Sequence, residues 1–360
     1  MFITIDINGD NIYIAEGNAT MGGVEAHKCD EVKLPAGTIE DGDIKNQSAF
    51  ITSLTKLLNE HSFKSTSVVA TFTSNLVISR RLNLPPGKSS EIAGMVKSQM
   101  SQAVSDLADC VFEYTYAKPV QAKTPTADIW AYALDKEIVD RYYSAMKSVR
   151  LRPAFLDIHS NCIQKLISGS QINGKSLNGI STLFVDVERD FVEIHLFNGY
   201  SREFSRIAPV SASDFLLLAS KLGYGRQNTL SLMEKRLLAM SEDHGQKYQA
   251  ETVSPDLIDM TPDTLSRDAV FADAVHQYTG RVSDELLKMV QFQMMRDSST
   301  PVSCIYLYGG LSVINGLDSS LSQTISCPVE VVKTISKIKI DQKVALPKYL
   351  NAIGALIRLK

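Results

Sequence analysis

Two aspartate pairs occupy matching places in two similar segments of the chain. Ile3-Thr-Ile-Asp6-Ile-Asn-Gly-Asp10-Asn-Ile-Tyr-Ile14 and Leu183-Phe-Val-Asp186-Val-Glu-Arg-Asp190-Phe-Val-Glu-Ile194 align so that Asp6 meets Asp186 and Asp10 meets Asp190. Apolar residues coincide at 3/183, 5/185, 7/187, 12/192 and 14/194. A carboxylate beside a turn either accepts hydrogen bonds from the turn itself or meets an anionic ligand through a cation, and the residues alone leave both readings open. A glycine pair, Gly309-Gly310, follows the apolar run Cys304-Ile-Tyr-Leu-Tyr308. Glycine there either turns the chain or lets backbone N–H groups approach another group closely. No Ser-His-Asp or Cys-His constellation stands out, and His159 and His195 read as structural residues in or beside strands.

Each aspartate segment alternates apolar and polar residues, turns, and alternates again, which spells a β-hairpin. Asn8-Gly9 is a good turn pair for the first, and the second lacks a glycine at its turn. Two similar hairpins half a chain apart point to two related halves. Between them, Phe50, Ile51, Leu54, Leu57 and Leu58 give 48–61 a helical spacing, and 67–72 reads as a buried strand. Residues 76–84 alternate as a strand stopped by Pro85-Pro86-Gly87. A helix over 89–107 with Ser90 as N-cap, strands over 111–117 and 129–134 and a helix over 136–149 complete a β-α-β-β-α insertion. A strand over 153–158 and a helix to about 167 resume the core. Residues 169–179, rich in Gly, Ser and Asn, read as a link. The pattern over 212–294 is mostly helical, with a polar interruption at 241–264, and the chain closes with a helix over 349–358.

The chain has 360 residues, 44% apolar and 21% charged, an ordinary balance for a folded protein of several subdomains. A net charge of -3 gives no electrostatic footprint for nucleic acid. Cys29, Cys110, Cys162, Cys304 and Cys327 form neither a CxxC pair nor a metal-ligand spacing with the six histidines, and read as reduced thiols of a cytosolic protein. The opening residues lack a basic segment followed by an apolar run, so no signal peptide is expected, and no apolar run is long enough to cross a bilayer, so work at a membrane is expected to need a partner.

Taken in order, these features resemble the actin-like superfamily of actin, DnaK-type chaperones, sugar kinases and FtsA. The carriers are Asp6 to Asp10, Asp186 to Asp190, Gly309-Gly310 and Ala352-Ile-Gly354. Within it, the chain is most similar to the type IV pilus assembly family PilM. That likeness rests on Leu34-Pro-x-Gly37-x-Ile-x-x-Gly42-x-Ile44, the inserted piece, Glu285 to Phe292 followed by Ile305-Tyr-Leu-Tyr-Gly-Gly, and Tyr349-x-x-Ala-x-Gly354-x-x-x-Arg358. It covers nearly the whole chain. It implies an α/β, duplicated actin-like (ribonuclease H-like) fold with an FtsA/PilM-type inserted subdomain. The implied first core comprises 1–77, 151–170 and 345–360, with the insertion at 78–150. The second core comprises 180–212 and 300–344, with a mostly helical subdomain at 213–299.

The resemblance also implies a cleft for ATP and Mg²⁺. On that reading Asp6, Asn8, Gly9, Asp10, Asp186, Glu285, Lys288, Gly309, Gly310 and Gly354 bind nucleotide, with Asp6 and Asp186 ordering Mg²⁺ through water. The chain departs from the pattern at several places. Asn8-Gly9-Asp10 replaces a glycine followed by small hydroxyl residues, Glu188 stands where the family has glycine, Arg206-Ile-Ala-Pro-Val-Ser lacks two glycines, and Lys288 replaces an arginine. A side chain at 188 blocks backbone approach and its carboxylate repels phosphate, so ATPase activity is expected to be weak or absent. The implied role is a scaffold at the cytoplasmic face of the membrane, attached only through a PilN-like membrane protein. The N-terminal tail of that partner would lie in a groove between first core and insertion, with Leu82, Leu84, Met95 and Met100 as candidate lining. Two other functions compete: an ATPase or sugar-kinase-like enzyme, disfavoured by the lost glycines, and an FtsA-like filament former, which needs an amphipathic C-terminal membrane helix.

Overall fold

Ile3, Ile5 and Ile7 alternate with Thr4, Asp6 and Asn8, and all six side chains are buried, so the first strand needs cover on both faces. The computed structural model describes residues 1–20, 22–102, 109–117, 126–221, 262–314 and 316–358. The elements begin with β1 (Phe2–Asn8), β2 (Asn11–Thr20), β3 (Gly23–Lys33), β4 (Ile39–Glu40), β5 (Asp43–Ile44), α1 (Gln47–Glu60) and β6 (Ser67–Phe72). Next come β7 (Ile78–Leu84), α2 (Ser89–Met100), β8 (Cys110–Tyr116), β9 (Ala127–Asp135), α3 (Lys136–Ser148), β10 (Arg152–Ile158) and α4 (His159–Ile167). The small ladder β11 (Gln171–Ile172) and β12 (Lys175–Ser176) leads to β13 (Ser181–Val187), β14 (Val192–Asn198), β15 (Ser201–Ala208), α5 (Ser213–Lys221) and α6 (Pro262–Arg296). The chain closes with β16 (Val302–Tyr308), α7 (Leu317–Ser322), β17 (Val329–Val331), β18 (Ile338–Lys339) and α8 (Leu350–Leu356).

The two large sheets share one topology. The first runs β10-β6-β1-β2-β3-β18 and the second β17-β16-β13-β14-β15. In each, three consecutive strands lie side by side, a later strand joins the first of them in parallel, and a still later one joins that strand in parallel. The duplication suggested by the aspartate segments is therefore present in the fold, and the class is the α/β, two-halved, actin-like one. By internal packing the chain divides into unit 1, made of Met1–Gly179, Phe197–Ile207 and Lys333–Lys360, and unit 2, made of Ile180–Leu196 and Ala208–Val332.

In unit 1, Ile3, Ile5 and Ile7 pack against Phe50, Leu54 and Leu57 of α1 and Ile138, Tyr142 and Met146 of α3. Each such side chain contributes roughly 1.5–3 kcal/mol by leaving water. On the opposite face, Cys162 of α4 and Ala355 of α8 meet Val69. A three-stranded sheet, β7-β9-β8, carries α2 through Leu84, Ile92, Val96, Met100 and Ile129.

Some boundaries differ from the sequence reading. Helix α3 was expected within the insertion, but its apolar residues at 138, 142, 145 and 146 complete the core of the main sheet. Helix α2 begins at Ser89, and Glu91 accepts from the Lys88 N–H at 2.8 Å, so Ser90 is inside the helix and not its cap. The first turn is Gly9-Asp10, because Asn8 and Asn11 still pair across the ladder. The polar stretch at 241–264 lies almost wholly outside the described residues.

In unit 2, Leu183, Val185 and Val187 of β13 and Ile305 and Leu307 of β16 face Phe215, Tyr278, Val282 and Leu317 from the helices. Phe184 and Asp186 lie on the other side of the strand, where the Phe184 and Tyr306 rings are 5.1 Å apart. Among the described residues no helix is long and apolar enough to cross a membrane.

Candidate functional site

Asp6 sits mid-ladder, opposite Tyr13 on β2 and Thr71 on β6. Its Oδ1 lies 2.6 Å from Nε2 of His159, the residue that opens α4, and both side chains are fully buried. The topology makes the pair: β10 lies beside β6, so the helix that follows begins next to β1, and its N-terminal dipole favours a carboxylate there. At the hairpin tip Gly9 takes φ 59°, a value natural to glycine in a two-residue turn. Asn8 is buried beneath it. Asp10 accepts from Asn11 Nδ2 at 3.0 Å, lies 3.6 Å from Lys33 Nζ, and its carbonyl accepts from the Leu34 N–H at 2.7 Å. These contacts tie the tip to the end of β3. Gly354 is a packing residue: a Cβ there would lie 2.4 Å from the Cys162 carbonyl oxygen, so α8 crosses α4 at backbone distance.

The equivalent half-site in unit 2 is closed by its own side chains. Glu188, buried, follows β13 and accepts through Oε1 from the Gly310 N–H. The Leu311 N–H donates to the Val187 carbonyl at 2.9 Å, and the Glu188 N–H donates to Phe191 at 3.0 Å. Gly309, at φ 95°, has no room for a side chain, since a Cβ would lie 2.1 Å from Asp186 Oδ1 and 2.8 Å from Glu188 Oε1. The glycine pair thus lets two carboxylates approach the loop. Asp190 accepts from Ser213 Oγ at 3.1 Å, which fixes the hairpin tip to the start of α5. On α6, Lys288 Nζ donates to Glu285 Oε1 at 2.6 Å, one turn apart. A phosphate approaching Gly309-Gly310 would find the Gly310 N–H taken and two carboxylate side chains beside it, so this loop does not fit a phosphate. The sequence showed the glutamate; its partner, more than a hundred residues away, was not visible there.

A different opening lies within unit 1. A cleft of about 320 Å³ is lined by Asp43 and Arg141 from the main core and by Ile78, Cys110 and Ala133 from the inserted sheet, with Leu76, 47% exposed, beside them. Arg141 donates to Asp43 through Nε at 2.8 Å and Nη2 at 3.0 Å, and Lys45 Nζ donates at 2.8 Å. Burial pushes the Asp43 carboxyl up, but the hydrogen bonds from Arg141 and Lys45 outweigh it and hold the group below its ordinary range. The four residues anticipated for a groove lie elsewhere. Leu84 and Met100 are buried in the α2 core of the insertion, and Leu82 and Met95 pack against the same cluster.

The inserted sheet is held by charge. Arg81 donates to Asp128 through Nε at 2.8 Å and Nη2 at 2.6 Å, and also to Glu203. Arg202, buried, stacks 4.4 Å over the Trp130 ring and donates to the Tyr132 hydroxyl, which in turn donates to Asn161 at 2.7 Å.

Residues 4–206 match the family described as type IV pilus assembly protein PilM. Among solved structures, the chain is similar to one titled as a PilM-PilN type IV pilus biogenesis complex, at TM-score 0.70 and 17% identity over 98% of this chain and 97% of that one. It also matches the ethanolamine utilization protein EutJ from Carboxydothermus hydrogenoformans, at TM-score 0.48 and 11% identity over 98% and 88%. A third match is MreB 5 of Spiroplasma citri, at TM-score 0.45 and 10% identity over 98% and 94%. No curated protein matches the chain by sequence.

Proposed function

Because the chain belongs to the type IV pilus assembly protein PilM family, we propose that it is an assembly scaffold whose cleft beside Leu76 holds the N-terminal tail of a PilN-like membrane protein. The observation that carries this is the cleft between the main core and the inserted sheet of unit 1. Leu76, Ile78, Ala133 and Ile138 offer apolar surface, while Asp43, Asp135 and Arg141 offer charge at the same opening. An extended tail suits that mixture, with apolar side chains in pockets and polar groups meeting the charged wall. The likeness to a PilM-PilN complex supports the class of partner. The protein would then stand at the cytoplasmic face of the membrane, attached through that partner. Glu188 against the Gly309-Gly310 loop favours a scaffold over a nucleotide-driven enzyme.

The test is a synthetic PilN-like N-terminal tail, labelled and titrated by fluorescence anisotropy. Leu76→Glu should weaken binding by about tenfold or more, a loss of about 1.4 kcal/mol or more. Leu217→Glu, at an exposed position on α5, should leave it unchanged. Absence of saturable binding to the native chain would overturn the reading.

A further inference from the structure

In the second half of the fold, the backbone N–H that the Gly309-Gly310 loop brings forward is taken up by a buried carboxylate of the same chain. We propose that Glu188 is a resident anion for the Gly309-Gly310 loop, standing where a nucleotide would have to come and shutting nucleotide out of unit 2. Three observations converge on it. The Gly310 N–H, the donor that the glycine pair brings forward, is used by Glu188 Oε1. The neighbouring donors are also used internally, Leu311 by Val187 at 2.9 Å and Glu188 by Phe191 at 3.0 Å. The space over Gly309 that an entering group would need holds the carboxylates of Asp186 and Glu188, 2.1 Å and 2.8 Å from the point a Cβ would occupy.

The chemistry favours the internal ligand. A hydrogen bond from backbone N–H to an ionised carboxylate is among the stronger kinds, and this carboxylate is already in place when the chain folds. A phosphate competing for the same donor must first expel a buried glutamate and then sit beside another carboxylate, Asp186. The same contact joins β13 to the loop after β16, so the work a bound nucleotide would do in ordering that loop is done by the side chain. This inference does not depend on the tail-binding cleft, which belongs to unit 1.

The test titrates the full chain with ATP and with ADP in the presence of Mg²⁺, read by calorimetry. The native protein should show no saturable binding at millimolar nucleotide. Glu188→Gly should gain saturable binding by about tenfold or more. Glu188→Gln, whose amide oxygen still accepts from Gly310 but carries no charge, should gain binding by less than the glycine variant. Native binding as tight as that of the glycine variant, no gain in Glu188→Gly, or an equal gain in Glu188→Gln would each overturn the proposal. Should the glycine variant fail to fold, hydrogen exchange at the Gly310 amide of the native chain decides. Slow exchange unchanged by millimolar ATP supports the resident anion; fast exchange, or slowing on addition of ATP, refutes it.

Discussion

His159 and Asp6 meet at 2.6 Å in the interior of unit 1, one at the start of a helix and the other in the middle of the central strand. The pair joins α4 to β1. His159→Ala removes a buried partner from a buried carboxylate and should cost about 3–5 kcal/mol of stability. Asp6→Asn keeps shape and one acceptor and should cost less, about 1–3 kcal/mol. Urea unfolding of both variants gives the order; equal stability of His159→Ala and native protein would show that the contact joins nothing.

Two helical glycines should respond to alanine in opposite directions. Gly354 lies against the Cys162 backbone, where a Cβ would come within 2.4 Å of the carbonyl oxygen and 2.7 Å of its carbon. Backbone cannot step aside as a flexible side chain can, so Gly354→Ala must part α8 from α4 and should cost about 1–3 kcal/mol. Gly94 sits on the exposed side of α2 with nothing within 4 Å of its Cβ position. There alanine removes freedom from the unfolded chain alone, and Gly94→Ala should stabilise by about 0.5–1 kcal/mol. Melting temperatures check both signs.

Local pattern carried the sequence reading a long way. The alternation around Asp6 and Asp186 marked both hairpins although β1 and β13 are buried on both faces, and the spacing of Phe50, Leu54 and Leu57 marked α1, where burial on one face imprints its period on the chain. Facts set by distant partners were not legible. Arg202, in Ser-Arg-Glu-Phe, is buried against Trp130 and Tyr132, residues some seventy positions earlier in the chain. Leu84 and Met100 are apolar enough for a groove, and sequence alone cannot tell a lining residue from one buried between α2 and the inserted sheet. Gly309-Gly310 was visible as a glycine pair, but its occupant Glu188 is determined by the parallel pairing of β13 with β16.

Asp43 gives the cleft an acid sensitivity with a definite sign. Its carboxyl is held below the ordinary value of about 3.9, because Arg141 and Lys45 favour the charged form over the opposing effect of burial. A depressed folded value means the contribution is complete above the unfolded one and disappears as pH falls through the folded one. Native protein should therefore lose stability as pH drops from about 4 downward. Asp43→Ala should be less stable at neutral pH by about 1–3 kcal/mol and show a flatter acid limb. Denaturant midpoints across that range distinguish this from a general acid effect, since only the variant flattens.

Arg202 offers the most direct measurement, because the ring it covers, Trp130, belongs to the single tryptophan of the chain. The guanidinium lies 4.4 Å over that indole and 5.9 Å from the Tyr132 ring. Its hydrogen bond to the Tyr132 hydroxyl continues to Asn161 and from there to Asp157 at 3.2 Å, so one buried cation ties the inserted sheet to α4. Arg202→Ala removes a desolvated cation–π contact and a donor, and should cost about 2–4 kcal/mol. It should also shift Trp130 emission to the red by opening a ring that is 7% exposed. Arg202→Lys keeps the charge without the flat stacking group and should fall between the two. Because the inserted sheet also forms one wall of the cleft, loss of Arg202 should weaken the tail binding proposed for it without touching any residue that lines it. Unchanged emission and tail affinity in Arg202→Ala would show that the insertion holds its place without this residue.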